Sequence, residues 1–244
     1  MIKESEFTAR LSAVFKKNGL ASLLNSERAS TFYRLTEYML VENEKYNLTA
    51  ITEPDKIILS HYADCAVLAK RLPKGAKVAD IGCGAGFPTL PMAILRDDIS
   101  ITAIDSTAKR IEYVRSAREL LGLKNVTAVS MRAEDGGRNP EYREKFDIAT
   151  ARAVAEMRVL SELCLPYVKL GGSFIAMKGK NAEYELASAS RAIVMLGGAK
   201  PVTETVTISS DTEELSHPLI VIKKKDKTPE KYPRPFAQIS KKPL

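Results

Sequence analysis

Between a β-branched run and a helical stretch lies Asp80-Ile81-Gly82-Cys83-Gly84-Ala85-Gly86-Phe87-Pro88, three glycines at alternate positions with a carboxylate two residues ahead of them. Glycines let a backbone bend sharply and approach a ligand closely. A strand–loop–helix setting is what makes such a loop meaningful as a binding motif. Nineteen residues beyond Gly86 stands Asp105, at the expected end of the next strand, where a carboxylate can take both hydroxyls of a ribose. Together these residues predict an adenosine-bearing cofactor at the carboxyl ends of the strands. The G-x-G-x-G spacing departs from the G-x-G-x-x-G of a nicotinamide site. Asp80 suits a ligand with a cationic amino group, whereas a pyrophosphate favours bare amides at a helix start.

S-adenosylmethionine carries an ammonium, a sulfonium, a ribose and an adenine, and D-x-G-x-G-x-G resembles the first motif of class I methyltransferases. Ala133-Glu134-Asp135 follows the third predicted strand, where methyltransferases often hold the adenine through an acidic side chain; an N-cap of the next helix is its other reading, and the two are compatible. Arg152 ends the fourth strand, where side chains face the reacting centre in open α/β sheets; a surface ion pair is the alternative. The rest of the chemical inventory is thin. His61 and His217 are far apart in sequence, and no Ser/His/Asp or metal-ligand spacing is present. Cys65, Cys83 and Cys164 are scattered, which argues against a disulfide framework or a zinc site and for a reducing cytosol.

The elements that must position these residues follow from hydrophobic periodicity. The first 70 residues read as helical: Phe7, Leu11, Val14 and Phe15 share a face, Ser5 is a candidate N-cap and Gly19 a stop. A second amphipathic segment runs from about Glu27 to Tyr46, and Glu53-Pro54-Asp55 opens a third. From Lys77 onward VADIG, SITAID, NVTAVSM, FDIATA and SFIAMKG alternate with helical stretches. That alternation predicts βαβ units, hence an α/β fold with a mostly parallel sheet. PVTETVTIS and HPLIVIKKK read as a closing hairpin. The expected division is a helical extension over 1–70, a cofactor-binding core over 71–225 and a basic tail over 226–244.

The chain has 244 residues, 45% hydrophobic and 27% charged, with formal net charge +7. This suits a soluble globular protein and excludes a wholly disordered one; no apolar run approaches the roughly 20 residues of a membrane-spanning helix. From Val221 to Leu244 eight basic residues face two acidic ones, leaving 29 basic and 28 acidic groups in the preceding 220 residues. A near-neutral body with a basic end predicts a polyanion-binding segment. Nucleic acid is favoured over a membrane because no amphipathic apolar face accompanies the charge. Tyr232 and Phe236 add flat side chains suited to stacking on unpaired bases.

VADIGCGAGFPTLPMAI, AIDSTAKR, SMRAED, FDIATARAVAEMRVLSELCLPYVKLGGSFIAMKG and the terminal KKPL together resemble the bacterial small-subunit ribosomal RNA methyltransferase G family, also called glucose-inhibited division protein B. The resemblance runs from about Asn47 to Leu244. It implies a class I methyltransferase (Rossmann-like) fold, S-adenosylmethionine as cofactor, and methylation of a guanine N7 in 16S rRNA, in the free RNA or a small-subunit particle, with no metal. It also implies cofactor contacts at Gly82, Phe87, Ala133, Glu134 and Arg152, to which the chemistry above adds Gly84 and Asp105. Lys178, Arg234, Lys241 and Lys242 are the expected RNA-facing groups. The chain departs from the family in Cys65 after the Asp of an H-x-x-D motif, in Thr89 where glycine is usual, and in the YPRPFAQISKKPL tail. Two alternatives remain at this level: an NAD(P)-dependent oxidoreductase, and a non-catalytic RNA-binding or assembly factor.

Overall fold

The computed structural model describes residues 2–152, 154–179 and 181–244. Helix α1 is Glu4–Lys17 and α2 is Ser26–Tyr46. Phe7, Leu11 and Phe15 form the buried stripe of α1. Ser5 lies inside the first turn rather than capping it, because the helix begins at Glu4. A continuous helical stretch then comprises α3, Pro54–Ile57, a π-helical turn over Ile58–Ala63, and α4, Asp64–Arg71. Pro54 starts it because a first-turn position needs no backbone donor.

The α/β part runs β1 Lys77–Ile81, α5 Thr89–Leu95, β2 Ser100–Asp105, α6 Ala108–Leu121, β3 Val126–Ser130, α7 Ala133–Arg138, β4 Phe146–Arg152, α8 Met157–Cys164, β5 Val168–Met177 and α9 Ala182–Met195. It closes with the hairpin β6 Val202–Ser209 and β7 Glu214–Lys223, followed by α10, Phe236–Lys241. The seven-stranded sheet has the order β3-β2-β1-β4-β5-β7-β6. The first five strands pair in parallel, and β7 is antiparallel to both neighbours. The order reverses at β1, which lies between β2 and β4, so its carboxyl end is the switch point at which open α/β sheets bind ligands.

Alternate side chains of each strand enter opposite layers, as the period of two requires. Val78, Ile101 and Ile148 join Phe7, Phe32 and Tyr62 on one side, whereas Ala79, Ile104 and Phe174 join Leu160, Cys164 and Ile193 on the other. The N-terminal helices thus share an apolar core with the sheet. No helix among the described residues is long and apolar enough to cross a membrane.

The segment after β7 differs from the solvated basic tail expected from charge alone. Tyr232 and Ile239 are buried in the second layer. Arg143 donates to the carbonyls of Thr228 and Tyr232, Arg138 to that of Pro233, and Arg158 to those of Pro243 and Leu244. Lys224 is enclosed, donating to the carbonyls of Leu165 (2.8 Å) and Leu196 (3.2 Å) and lying 3.5 Å from Glu144. Burial pushes its ammonium pKa down to about 8. Tyr232 is therefore core and not a stacking platform for bases. The apolar residues interleaved with the charges found a surface to cover.

Candidate active site

The glycine loop is suspended from the neighbouring strand by backbone bonds. The amides of Gly82 and Cys83 donate to the carbonyl of Ile104 at 2.7 and 3.1 Å. Gly84 has φ +54°, and a Cβ there would meet nothing closer than 3.9 Å, so its outer face is open. Its amide donates to Asp105 Oδ2 (3.0 Å), while Asp105 Oδ1 accepts from the Thr107 amide (2.8 Å). Asp105 is 6% exposed, with Arg110 at 3.6 Å. The other two glycines answer to packing: a Cβ on Gly82 would stand 2.7 Å from Val154, and one on Gly86 2.6 Å from Leu90. Part of the glycine pattern is thus demanded by the fold whether or not a ligand binds.

Asp80 does not reach a ligand surface. It is fully buried beneath the loop, accepting from the Thr89 hydroxyl at 2.6 Å, and its second oxygen has no partner among the described residues. Burial pushes its pKa up to about 6, against the lowering effect of the Thr89 bond. One of its oxygens is thus engaged by the chain's own Thr89, a partner that the sequence reading did not foresee.

Two cavities flank the loop, and Gly82 and Arg110 line both. The first, about 290 Å³, combines Ile81, Ile104, Leu163, Val154 and Phe236 with Asp105, Ala133 and Glu134. Glu134 is 6% exposed and sits in the first turn of α7, within 4.0 Å of Arg132. The second, about 430 Å³, is lined by Leu48, Thr49, His61, Gly84, Phe87 and Arg152 among others. Of the residues expected to hold a cofactor, Gly82, Asp105, Ala133 and Glu134 line the first, and Gly82, Gly84, Phe87 and Arg152 the second.

The second cavity is backed by a side-chain network that sequence reading missed. Arg152 donates to His61 Nδ1 (3.1 Å) and to the Ser60 carbonyl (3.1 Å), lies 3.6 Å from Asp64, and sits 5.2 Å from the centre of the Phe87 ring. A guanidinium only donates, so His61 Nδ1 accepts and its Nε2 carries the proton, donating to Thr49 Oγ1 at 3.2 Å. Burial, reinforced by the Arg152 charge, pushes the His61 pKa down to about 3. The ring is therefore neutral, and it stacks on Phe87 at 4.2 Å. His217 is held the other way: Nε2 lies 2.6 Å from Asp64 Oδ1 and Nδ1 3.3 Å from the Pro218 carbonyl. Both partners only accept, which favours the imidazolium; burial opposes it, but Asp64 prevails and the pKa is raised. The two histidines, distant in sequence, thus meet through Asp64 and Arg152. The H-x-x-D spacing of His61 and Asp64 was the available signal, since residues three apart share a helix face.

Two expected RNA-facing groups are engaged elsewhere. Lys178 Nζ, with 9% of its side chain exposed, donates to the Ala155 carbonyl (2.8 Å) and pairs with Glu185 (2.7 Å). Arg234 grips the fully buried Glu162 through Nε (2.9 Å) and a terminal nitrogen (2.7 Å). Each cation is thus paired with a carboxylate of the chain itself, Glu162 fully buried and Glu185 partly exposed. Lys241 and Lys242 are exposed.

Comparison with known proteins agrees with this architecture. Solved structures that share the fold include a SAM-dependent O-methyltransferase from Thermotoga maritima (TM-score 0.53, 14% identity, 78% of this chain and 72% of that one). Another is M. jannaschii TYW2 in complex with AdoMet (TM-score 0.51, 17% identity, 65% and 73%). Much nearer in sequence is the "Ribosomal RNA small subunit methyltransferase G" of Clostridium perfringens strain 13, 46% identical over 223 residues, covering 90% of this chain and 92% of the relative. The protein of the same description from Lactobacillus delbrueckii subsp. bulgaricus is 43% identical over 233 residues, covering 94% and 95%. The family profile described as rRNA small subunit methyltransferase G matches residues 28–214. The chain belongs to the rRNA small subunit methyltransferase G family.

Proposed function

We propose that the protein transfers a methyl group from S-adenosylmethionine to N7 of a guanine in 16S ribosomal RNA, in the cytoplasm. The observation that carries this reading is the pair of cavities meeting at Gly82 and Arg110, one with the carboxylates of Asp105 and Glu134 among apolar side chains, the other lined by Arg152. The donor set suits the cofactor. Asp105 is a carboxylate for the ribose hydroxyls, and Glu134 an acceptor for the adenine amine beside Ala133. The open face of Gly84 admits close backbone approach, and Arg152 is a cation for the methionine carboxylate with Phe87 beneath it. When bound, the cofactor supplies an electrophilic methyl on a sulfonium.

Guanine N7 has an in-plane lone pair and no proton, so its attack needs no general base. His61, the imidazole at the second cavity, is committed within the protein in a way that fits this chemistry: its only ring proton goes to Thr49 and its lone pair to Arg152. What the chain contributes is positioning and exclusion of water: Arg152 and Asp105 fix the two ends of a ligand, and the His61–Phe87 stack walls the space between. An oxidoreductase reading is disfavoured by the alternate glycine spacing and by the antiparallel β6–β7 pair at the end of the sheet.

The test is incubation with methyl-labelled cofactor and either protein-free 16S rRNA or small-subunit particles, with the modified base identified by mass. 7-Methylguanine in one of the two is the expected product, and the comparison shows which is the substrate. Label at another atom, or in neither RNA, rejects the reading.

A further inference from the structure

The first cavity has one wall that comes from nowhere near the others in sequence. Phe236, the first residue of α10, lines it together with Asp105 and Glu134. Val154 lines it too. Among the described residues these two belong to a small set of large apolar side chains left open to solvent, 40% and 39% exposed. Both nevertheless face a cavity that also holds the buried Ile81, Ile104 and Leu163. Uncovered apolar surface converging on one cleft marks a place where a flat apolar group is covered on binding.

The segment that delivers Phe236 is fastened on both sides of it. Upstream, Arg234 makes a two-point ion pair with Glu162 of α8, and its own amide donates to the same carboxylate at 2.9 Å. Downstream, Ile239 is fully buried and Arg158 of α8 donates to the carbonyls of the last two residues. Glu162 is fully buried; burying a carboxylate is justified only when its partner's position is fixed, and here the fixed partner stands two residues from Phe236.

We infer that residues 232–244 are a strap that closes the adenosine side of the cofactor site, with Phe236 as a positioning and specificity residue for the adenine ring. The inference rests on the cofactor reading given above. It assigns the basic end of the chain a double placement: Arg234 and Phe236 inward, Lys241 and Lys242 outward at the far end of the same short helix.

The experiment uses full-length protein and three variants: Phe236→Ala, Phe236→Leu, and the surface control Lys200→Ala, whose side chain is exposed away from the residues named above. Isothermal titration measures S-adenosylhomocysteine and 5′-methylthioadenosine, the latter probing the adenosine half alone. Phe236→Ala should weaken both ligands about tenfold, equivalent to about 1.4 kcal/mol, and Phe236→Leu by less. In turnover the KM for S-adenosylmethionine should rise by a similar factor, with kcat and the KM for RNA little changed. Melting temperature should hold, since the ring is half-exposed. If wild-type protein binds neither ligand, the cofactor reading itself fails. If wild type binds both and folded Phe236→Ala binds them equally well, or loses RNA affinity alone, the strap assignment is overturned.

Discussion

The two cavities beside the glycine loop keep their shapes by different means. The first is built from consecutive strand-to-helix turns, at Ile81–Gly82, Ile104–Thr107 and Arg132–Glu134. Its geometry is held largely by backbone amides on the Ile104 carbonyl and on Asp105. The second brings Leu48–Ile51 and Ser60–His61 against Arg152, and the bonds that hold it run between side chains through Thr49, His61, Arg152, Asp64 and His217. A site supported by backbone keeps its form when one side chain is removed, and only its grip on the ligand weakens. A site supported by a buried polar network loses form and stability together, because each member left behind is an unpaired polar group.

Arg152→Ala is the sharpest way to break this distinction. It strips His61 Nδ1 of its donor and leaves Asp64, 5% exposed, with His217 alone. A loss of about 2–4 kcal/mol in urea denaturation is expected, somewhat below the roughly 3–5 kcal/mol for breaking a fully buried ion pair because the Arg152 side chain is 18% exposed, together with loss of methyl transfer. A variant as stable as wild type would show that the second cavity does not depend on its network.

Asp105→Ala probes the other side. S-adenosylhomocysteine affinity should fall by roughly 1–3 kcal/mol, the size of a lost hydrogen bond to a charged group, and stability should fall by less than in Arg152→Ala. A decrease of under twofold by titration removes Asp105 from the groups that touch the ligand. Equal damage to stability in the two variants would erase the contrast between the cavities.

The pH dependence of stability sharpens the comparison further, because His217 ties the hairpin strand β7 to α4 through Asp64. Its folded pKa is raised above the ordinary 6.5, so the folded state binds the proton more tightly than the unfolded one. The stabilisation is complete below 6.5 and is lost as pH rises through the folded value. Wild type should therefore exceed His217→Gln by about 1 kcal/mol near pH 6, a gap that narrows toward alkaline pH. A gap that widens with pH contradicts an imidazolium paired with Asp64.

The smallest effect concerns the outward face of α10. Lys241→Ala/Lys242→Ala should leave cofactor affinity unchanged and reduce the slope of log RNA affinity against log salt by about 0.7 for each phosphate no longer neutralised. An unaltered slope assigns these lysines to solvent.

How much of the site was legible in the sequence depended on how local its determinants were. Gly82, Gly84 and Asp105 could be placed because a strand, a tight turn and a helix are written in consecutive residues, and the next strand end follows at a regular spacing. Arg152 was found for the same reason, from its place at the end of β4. Its partners were not, since His61 lies 91 positions away and no periodicity links a helix to the end of a distant strand. The intramolecular ion pairs of Lys178 and Arg234 were missed for a related reason. Charge counted along a chain does not reveal which internal carboxylate, Glu185 or Glu162, lies within reach.

By itself the sequence determined the α/β class, the hairpin ending, the glycine loop and the carboxylate at the end of β2, and its ordered motifs carried the family resemblance. These follow from short-range rules: alternation for strands, 3.6-residue periodicity for helices, and backbone freedom for the loop. Only the tertiary structure decided that Asp80 is buried under Thr89, that two of the three glycines answer to Val154 and Leu90, and that the basic end folds back on α8. Those outcomes turn on desolvation and steric fit between segments remote in the chain. A carboxylate or an ammonium keeps the same identity in the sequence whether water or another residue satisfies it, and folding alone chooses between the two.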